Sequence, residues 1–283
     1  MTSQYHMKRI FILALLLNIS VSAFSQKLEY AQNNNIHYYA DSTGSDSYKN
    51  EKCVLDIYYP KNTKNFATIV WYHGGGLTEG SKQIPWDFKD KGICVIGVGY
   101  RLSPKVNSPA YIEDAAAALA WAFQNVEKFG GDKSKIFVSG LSAGGYLANM
   151  LTLDKKWLGN YNIDANNLAG LISVTGQAIT HFTVRKEKGI PATKAVIDEL
   201  APISYVRKDA PPILLITGDR ELELFGRYEE NAYFMRMLKL IGHKDVKLLE
   251  IQGYGHNVGK PAFPLVLQEI ERVTKTKLPN NKF

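Results

Sequence analysis

Gly140-Leu141-Ser142-Ala143-Gly144-Gly145 sets one hydroxyl among glycines. In this G-x-S-x-G spacing the glycines let the chain turn sharply, so that the serine oxygen stands clear of its own backbone. Lys135 to Ser139 reads as a short strand and Ala143 to Leu153 as a helix, the context the motif requires. A helix starting beneath the serine also favours a negative charge developing there. The chemistry this spacing suits is nucleophilic attack on a carbonyl carbon. Bare G-x-S-x-G is common in turns; the flanking elements give it weight.

His73-Gly74-Gly75-Gly76 closes another apolar β-run, Ala67 to Tyr72. Glycines placed there leave backbone N–H groups free to bind an oxyanion, worth roughly 2.7–4 kcal/mol per donor. The loop precedes the serine by one β-α-β unit, the order expected of an oxyanion loop. A phosphate cradle is excluded, since neither G-x-x-x-x-G-K-[ST] nor a helix-opening G-x-G-x-x-G occurs.

The serine needs a base, and there are six histidines: His6, His37, His73, His181, His243 and His256. His6 lies in the N-terminal leader, His37 precedes the alternating core, and His73 fits a brace for its own loop. His243 follows a helix-ending glycine on the opposite face of the sheet. His256, in Gly253-Tyr254-Gly255-His256-Asn257 after the last strand, projects on the side of Ser142. An acid to orient it should follow the Ile213–Thr217 strand, where Gly218-Asp219-Arg220-Glu221 stands. Both Asp219 and Glu221 are chemically adequate, and the order serine, acid, histidine is that of an α/β-hydrolase.

The elements that must position these groups alternate. Asn35 to Ala40 and Cys53 to Tyr59 read as strands around a polar turn segment, Asp41 to Glu51. The run Ile93 to Gly99 is a further strand, and Ala110 to Lys128 an alanine-rich helix ended by Gly130-Gly131. Strands are expected over Leu168 to Val174, Pro212 to Thr217 and Val246 to Ile251, and helices over Glu229 to Ile241 and Phe263 to Thr274. Such alternation predicts an α/β fold with a mostly parallel sheet. One segment, about 176–211, breaks the rhythm, and a long insertion after a strand is where such folds place substrate-covering elements.

Composition bounds the rest. A chain of 283 residues, 45% hydrophobic and 22% charged, buries enough apolar surface to exclude disorder. Lys8 and Arg9, the apolar run Ile10 to Ile19, and small residues Ala23 and Ser25 form the pattern of a secretory signal peptide over residues 1–25. That run is about half a membrane span, so no stable anchor is expected after cleavage. Residues 26–283 then form a single catalytic domain. The leader carries two of the seven net positive charges, leaving +5 on scattered residues, and no nucleic-acid motif accompanies them. If Cys53 and Cys94 start neighbouring antiparallel strands, about five residues at ~3.3 Å each separate them, so two buried free thiols are expected. No H-E-x-x-H or C-x-x-C pattern occurs, and neither metal nor cofactor is expected.

With these residues in place, the sequence resembles the α/β-hydrolases, and among them the hormone-sensitive-lipase-like carboxylesterases, over roughly residues 50 to 275. The resemblance rests on His73-Gly74-Gly75-Gly76, on Tyr100-Arg101-Leu102-Ser103-Pro104 with Pro109 to Asp114, on the elbow at Ser142 and on His256. It implies an eight-stranded, mostly parallel sheet flanked by helices in three layers. It also implies Ser142 as nucleophile, His256 as general base, and an oxyanion hole built from the N–H groups of Gly75, Gly76 and Ala143. In related enzymes the acid commonly falls three residues after the strand-ending glycine, which favours Glu221 over Asp219. Arg101 and Asp114 look like a structural pair. The departures are Leu141, where histidine or aspartate is frequent, the glutamate in the acid place, and a shortened N-terminal cap. The expected activity is serine carboxylesterase chemistry on small-acyl esters, of small molecules or of carbohydrates (acetyl or feruloyl). An amidase or exopeptidase using the same triad is the alternative, and a non-catalytic binding protein on this scaffold a more distant one.

Overall fold

A computed structural model describes residues 27–39 and 46–279. The leader, including the expected signal peptide, lies outside the described residues. The strands are β1 (Tyr30–His37), β2 (Val54–Pro60), β3 (Phe66–Tyr72), β4 (Cys94–Val98), β5 (Gly131–Leu141), β6 (Gly170–Val174), β7 (Ile213–Gly218) and β8 (Val246–Ile251). The helices are α1 (Ser47–Lys52), α2 (Ala110–Asn125), α3 (Ala143–Leu153), α4 (Lys156–Gly159), α5 (Phe182–Glu187), α6 (Arg227–Leu240) and α7 (Gly259–Thr274). All eight strands form one sheet, ordered β1-β2-β4-β3-β5-β6-β7-β8. β2 is antiparallel to both β1 and β4, and every other pairing is parallel.

Strand periodicity separates two cores. Val70, Tyr72, Ile96, Val138, Leu171 and Leu215 point to one face, against α2, α3 and α6. Their neighbours Ile69, Trp71, Val95, Phe137, Ile172 and Leu214 point to the other, against α7. The result is the three-layered α/β-hydrolase arrangement. Runs buried on both faces read as continuous apolar strands, as β3 and β7 do. In α2, Ala115 to Ala118, Ala120 and Ala122 are buried, and their small side chains bring the helix close to the sheet. Helix α3 is buried along its whole length, so its start, at the serine, is fixed by packing on every side.

The N-terminal strand departs from expectation. It covers Tyr30–His37 rather than starting at Asn35, because its exposed edge position lets polar residues such as Asn33 to Asn35 occupy it. The polar segment after it holds a short helix, α1, capped by the Asp46 side chain, which accepts the Lys49 N–H. Cys53 and Cys94 are both buried free thiols. In the antiparallel β2–β4 register Leu55 faces Val98 and Tyr58 faces Val95, so the two cysteines sit near opposite ends of the pair.

Candidate active site

Strand β5 runs straight into α3 with Ser142 between them, in a left-handed conformation (φ 55°, ψ −111°). For a residue with a side chain this costs about 1–3 kcal/mol, which the surroundings must offset. Ser142 N–H donates to the Val174 carbonyl at 2.8 Å, and Tyr146 N–H donates to the Ser142 carbonyl at 3.0 Å. Gly144 is required by close approach: a Cβ there would overlap the Tyr72 carbonyl oxygen of β3. The elbow is thus pressed into the sheet while Oγ remains outward.

His256 meets that oxygen. Its Nε2 lies 2.8 Å from Ser142 Oγ, and its Nδ1 lies 2.5 Å from Oε1 of Glu223. A carboxylate only accepts, so Nδ1 carries the proton and the Nε2 lone pair faces the hydroxyl. The Glu223 side chain is almost completely buried, whereas His256 retains a quarter of its exposure. Burial pushes the Glu223 pKa up most strongly. Hydrogen bonds from His256, Leu224 N–H and Gly218 N–H together outweigh it and hold the carboxyl below its ordinary value. Glu223 is ionised at neutral pH.

This corrects the expected acid, since neither Glu221 nor Asp219 reaches His256. After β7 the chain makes a tight turn in which the N–H groups of Leu222 and Glu223 both donate to the Asp219 carbonyl, at 2.9 and 2.8 Å. The turn aims Glu221 into solvent and brings Glu223, two residues on, back beneath the imidazole. Asp219 is a fastener: Oδ1 accepts Glu221 N–H at 3.0 Å, and Oδ2 accepts Gly253 N–H at 2.9 Å. Asp219 N–H donates to the Tyr254 carbonyl at 2.7 Å, so the acid-bearing and histidine-bearing loops are tied together.

The glycine loop faces the elbow. A Cβ on Gly74 would stand 3.6 Å from Ser142 Cβ. Gly75 has φ +108°, and a Cβ there would overlap the Glu79 carbonyl, so the turn demands glycine. The N–H groups of Gly75, Gly76 and Ala143 find no acceptor among the described residues, which leaves them available to an oxyanion. His73 is buried under the loop, stacked on Tyr100 with ring centroids 4.3 Å apart. Its Nδ1–H donates to the Gly74 carbonyl at 2.6 Å, and Tyr100 O–H donates to the His73 carbonyl at 2.7 Å. Burial lowers the His73 pKa to about 4, so it is a neutral brace.

The segment 176–211 is packed onto this loop rather than standing away from it. Thr183 Oγ1 donates to the Gly76 carbonyl. Phe182 Cζ lies 3.0 Å from where a Cβ on Gly76 would sit. Farther along, Tyr111 O–H donates to Glu187 at 2.8 Å and Tyr146 O–H to the Leu200 carbonyl at 2.7 Å. Neither Phe182 nor Thr183 carried a sequence signal, because their roles exist only once the insertion folds back.

Behind the site, Arg101 binds Asp114 through Nε at 2.8 Å and Nη2 at 2.7 Å, with Tyr39 O–H on the same carboxylate at 2.8 Å. This pair is structural and holds the Tyr100 segment to α2. From α6, the buried Arg227 and Asn231 side chains donate to the carbonyls of Thr175 and Gly176, the loop on which the elbow rests. His243 is remote, bonded to the Ala210 and Pro211 carbonyls. Among the described residues no group of three or more histidine, cysteine or acidic side chains could hold a metal. None of their helices is long and apolar enough to cross a membrane.

Residues 55–182 match the family described as BD-FAE. Esterase LipC of Mycobacterium tuberculosis is 27% identical over 228 residues, 72% of this chain and 56% of LipC. Carboxylesterase NlhH of the same organism is 36% identical over 105 residues, 34% of this chain and 32% of NlhH. The chain therefore spans about half or less of the length of these relatives. A solved structure described as a truncated form of a carbohydrate esterase from gut microbiota superposes with a TM-score of 0.70 at 19% identity, covering 89% of this chain and 99% of that one. That likeness shows the fold. The chain thus has the α/β-hydrolase fold, and the curated relatives that its sequence matches are an esterase and a carboxylesterase.

Proposed function

We propose that this chain is an exported serine esterase that hydrolyses small-acyl carboxylic esters through an acyl-enzyme, acting on acetyl or feruloyl esters of carbohydrates. One observation carries the reaction type: Ser142 Oγ, the His256 imidazole and the Glu223 carboxylate lie in hydrogen-bonded series, at 2.8 and 2.5 Å. His256 Nε2 takes the serine proton as Oγ attacks the ester carbonyl, and Glu223 stabilises the imidazolium that forms. The N–H groups of Gly75, Gly76 and Ala143 receive the oxyanion, with the positive end of the α3 dipole behind it. The same proton, returned from Nε2, releases the alcohol. Water activated by His256 then hydrolyses the acyl-enzyme. The segment 176–211 covers the site from the oxyanion side.

Carbohydrate esters are favoured by the structural likeness to a carbohydrate esterase and by the expected leader, since exported hydrolases meet polymers. The test is labelling by a fluorophosphonate together with turnover of p-nitrophenyl acetate. Ser142→Ala must abolish both, and retained turnover would overturn the mechanism. Release of acetate or ferulate from acetylated or feruloylated xylan tests the substrate class. Export is tested by the mass of the protein recovered outside the cytoplasm, which should lack residues 1–25.

A further inference from the structure

Phe225 occupies a conformation that bulky side chains avoid. Its backbone is left-handed (φ 49°, ψ 40°), and Gly226 follows in the same region at φ 68°. A glycine at the second position is ordinary; a phenylalanine at the first is an outlier. The strain does not serve to bury the ring, because Phe225 is 52% exposed. An exposed aromatic held at a conformational cost invites a functional explanation.

Its surroundings supply one. Phe225 stands two residues after Glu223, and its ring lies 6.3 Å from that of Phe182 at 55°. Phe182 in turn rests on Gly76 of the oxyanion loop. The pair therefore joins the acid loop, through Phe225, to the oxyanion loop, through Phe182. They form a tilted pair whose spacing falls within the range of interacting aromatic rings, which makes one contiguous aromatic surface. A third ring meeting both edge-to-face would satisfy the 4.5–7 Å centroid spacing that aromatic pairs prefer. Leu222, Leu224 and Tyr254 are also exposed, each within two residues of Glu223 or His256.

We propose that Phe225, with Phe182, forms a platform for a planar aromatic ring of the substrate, and that Phe225 sets selectivity for aryl over alkyl esters. The inference rests on the esterase reading and deepens it. The ring can belong to the acyl group or to the alcohol, and the two sources are separable. The experiment compares kcat/KM for methyl cinnamate (aryl acyl), phenyl acetate (aryl alcohol) and ethyl acetate (neither), in wild type, Phe225→Gly and Phe225→Leu. Glycine adopts the native backbone freely, so that variant keeps the fold, as circular dichroism and thermal melting would verify. Leucine keeps apolar bulk without the ring.

The expected result is about a tenfold fall in at least one aryl-to-ethyl-acetate ratio with both variants. A fall for methyl cinnamate places the ring on the acyl side, and a fall for phenyl acetate on the alcohol side. Unchanged ratios in Phe225→Gly, or full retention in Phe225→Leu, would overturn the proposal while leaving the esterase reading intact. Wild type that turns over none of the three esters and takes no fluorophosphonate label would refute both.

Discussion

Replacing Glu223 by glutamine isolates the charge that the sequence placed elsewhere. The carboxylate oxygen lies 2.5 Å from Nδ1 of His256. With an effective dielectric of about 20, a unit charge pair at that separation is worth about 7 kcal/mol when the imidazole is protonated. Glutamine keeps the shape and one hydrogen bond, so about 4–5 kcal/mol of that stabilisation disappears as the imidazolium forms. At 1.36 kcal/mol per decade, kcat falls by about three to four orders of magnitude. The glutamine NH₂ can also turn towards the ring and select the wrong tautomer, an effect in the same direction. The assay is kcat on p-nitrophenyl acetate, with active sites counted by fluorophosphonate. Two controls frame it. Glu221→Gln, solvent-facing, stays within about twofold, and Asp219→Asn loses one of its two loop fastenings, costing about 1 kcal/mol of stability. A loss below tenfold in Glu223→Gln, or an equal loss in Glu221→Gln, would refute the reasoning.

Two further outcomes follow from the geometry around the glycine loop. Thr183→Val removes the hydroxyl that holds the Gly76 carbonyl and leaves that oxygen unsatisfied. An unmade buried hydrogen bond costs about 1–3 kcal/mol, so kcat should fall about tenfold while the melting temperature shifts by only a few degrees; an unchanged kcat would show the tie to be idle. His73 concerns pH. Its pKa is about 4 in the folded protein and about 6.5 when unfolded. Between those values the unfolded chain binds a proton the folded chain does not, so its contribution to stability, present above about pH 6.5, is lost as pH falls toward 4. The integrated effect is at most about 3.4 kcal/mol. Urea midpoints at pH 7.5 and 4.5 should differ less in His73→Asn, which keeps a donor for the Gly74 carbonyl but does not titrate; an undiminished difference would contradict the assignment.

What could be read from sequence was what depends on short-range spacing. Ser142 and the run His73 to Gly76 declare themselves because steric need fixes their glycines, and His256 because it closes the last strand. Helix α3 and strand β8 have the boundaries their patterns imply. Glu223 escaped because three carboxylates, at 219, 221 and 223, follow one strand, and only the turn closed on the Asp219 carbonyl decides which faces inward. Strand β1 was displaced because an edge strand has no apolar alternation to show. The insertion was visible as a break in rhythm, but its attachment to Gly76 was not, since the contact joins residues 107 positions apart.

That attachment bears on how such enzymes can be re-engineered. The segment 176–211 looks like an interchangeable module, hung between two strands and free to vary with substrate. Yet Thr183 grips the carbonyl of Gly76, whose own N–H is one of the proposed anion donors. Swapping the module for another would thus alter the shape of the pocket and the aim of its electrophilic machinery at once. A graft meant to widen substrate range must carry a hydroxyl at the position of Thr183. Without one, the chimera should slow about tenfold on every ester alike, in a way easily mistaken for a poor choice of substrate.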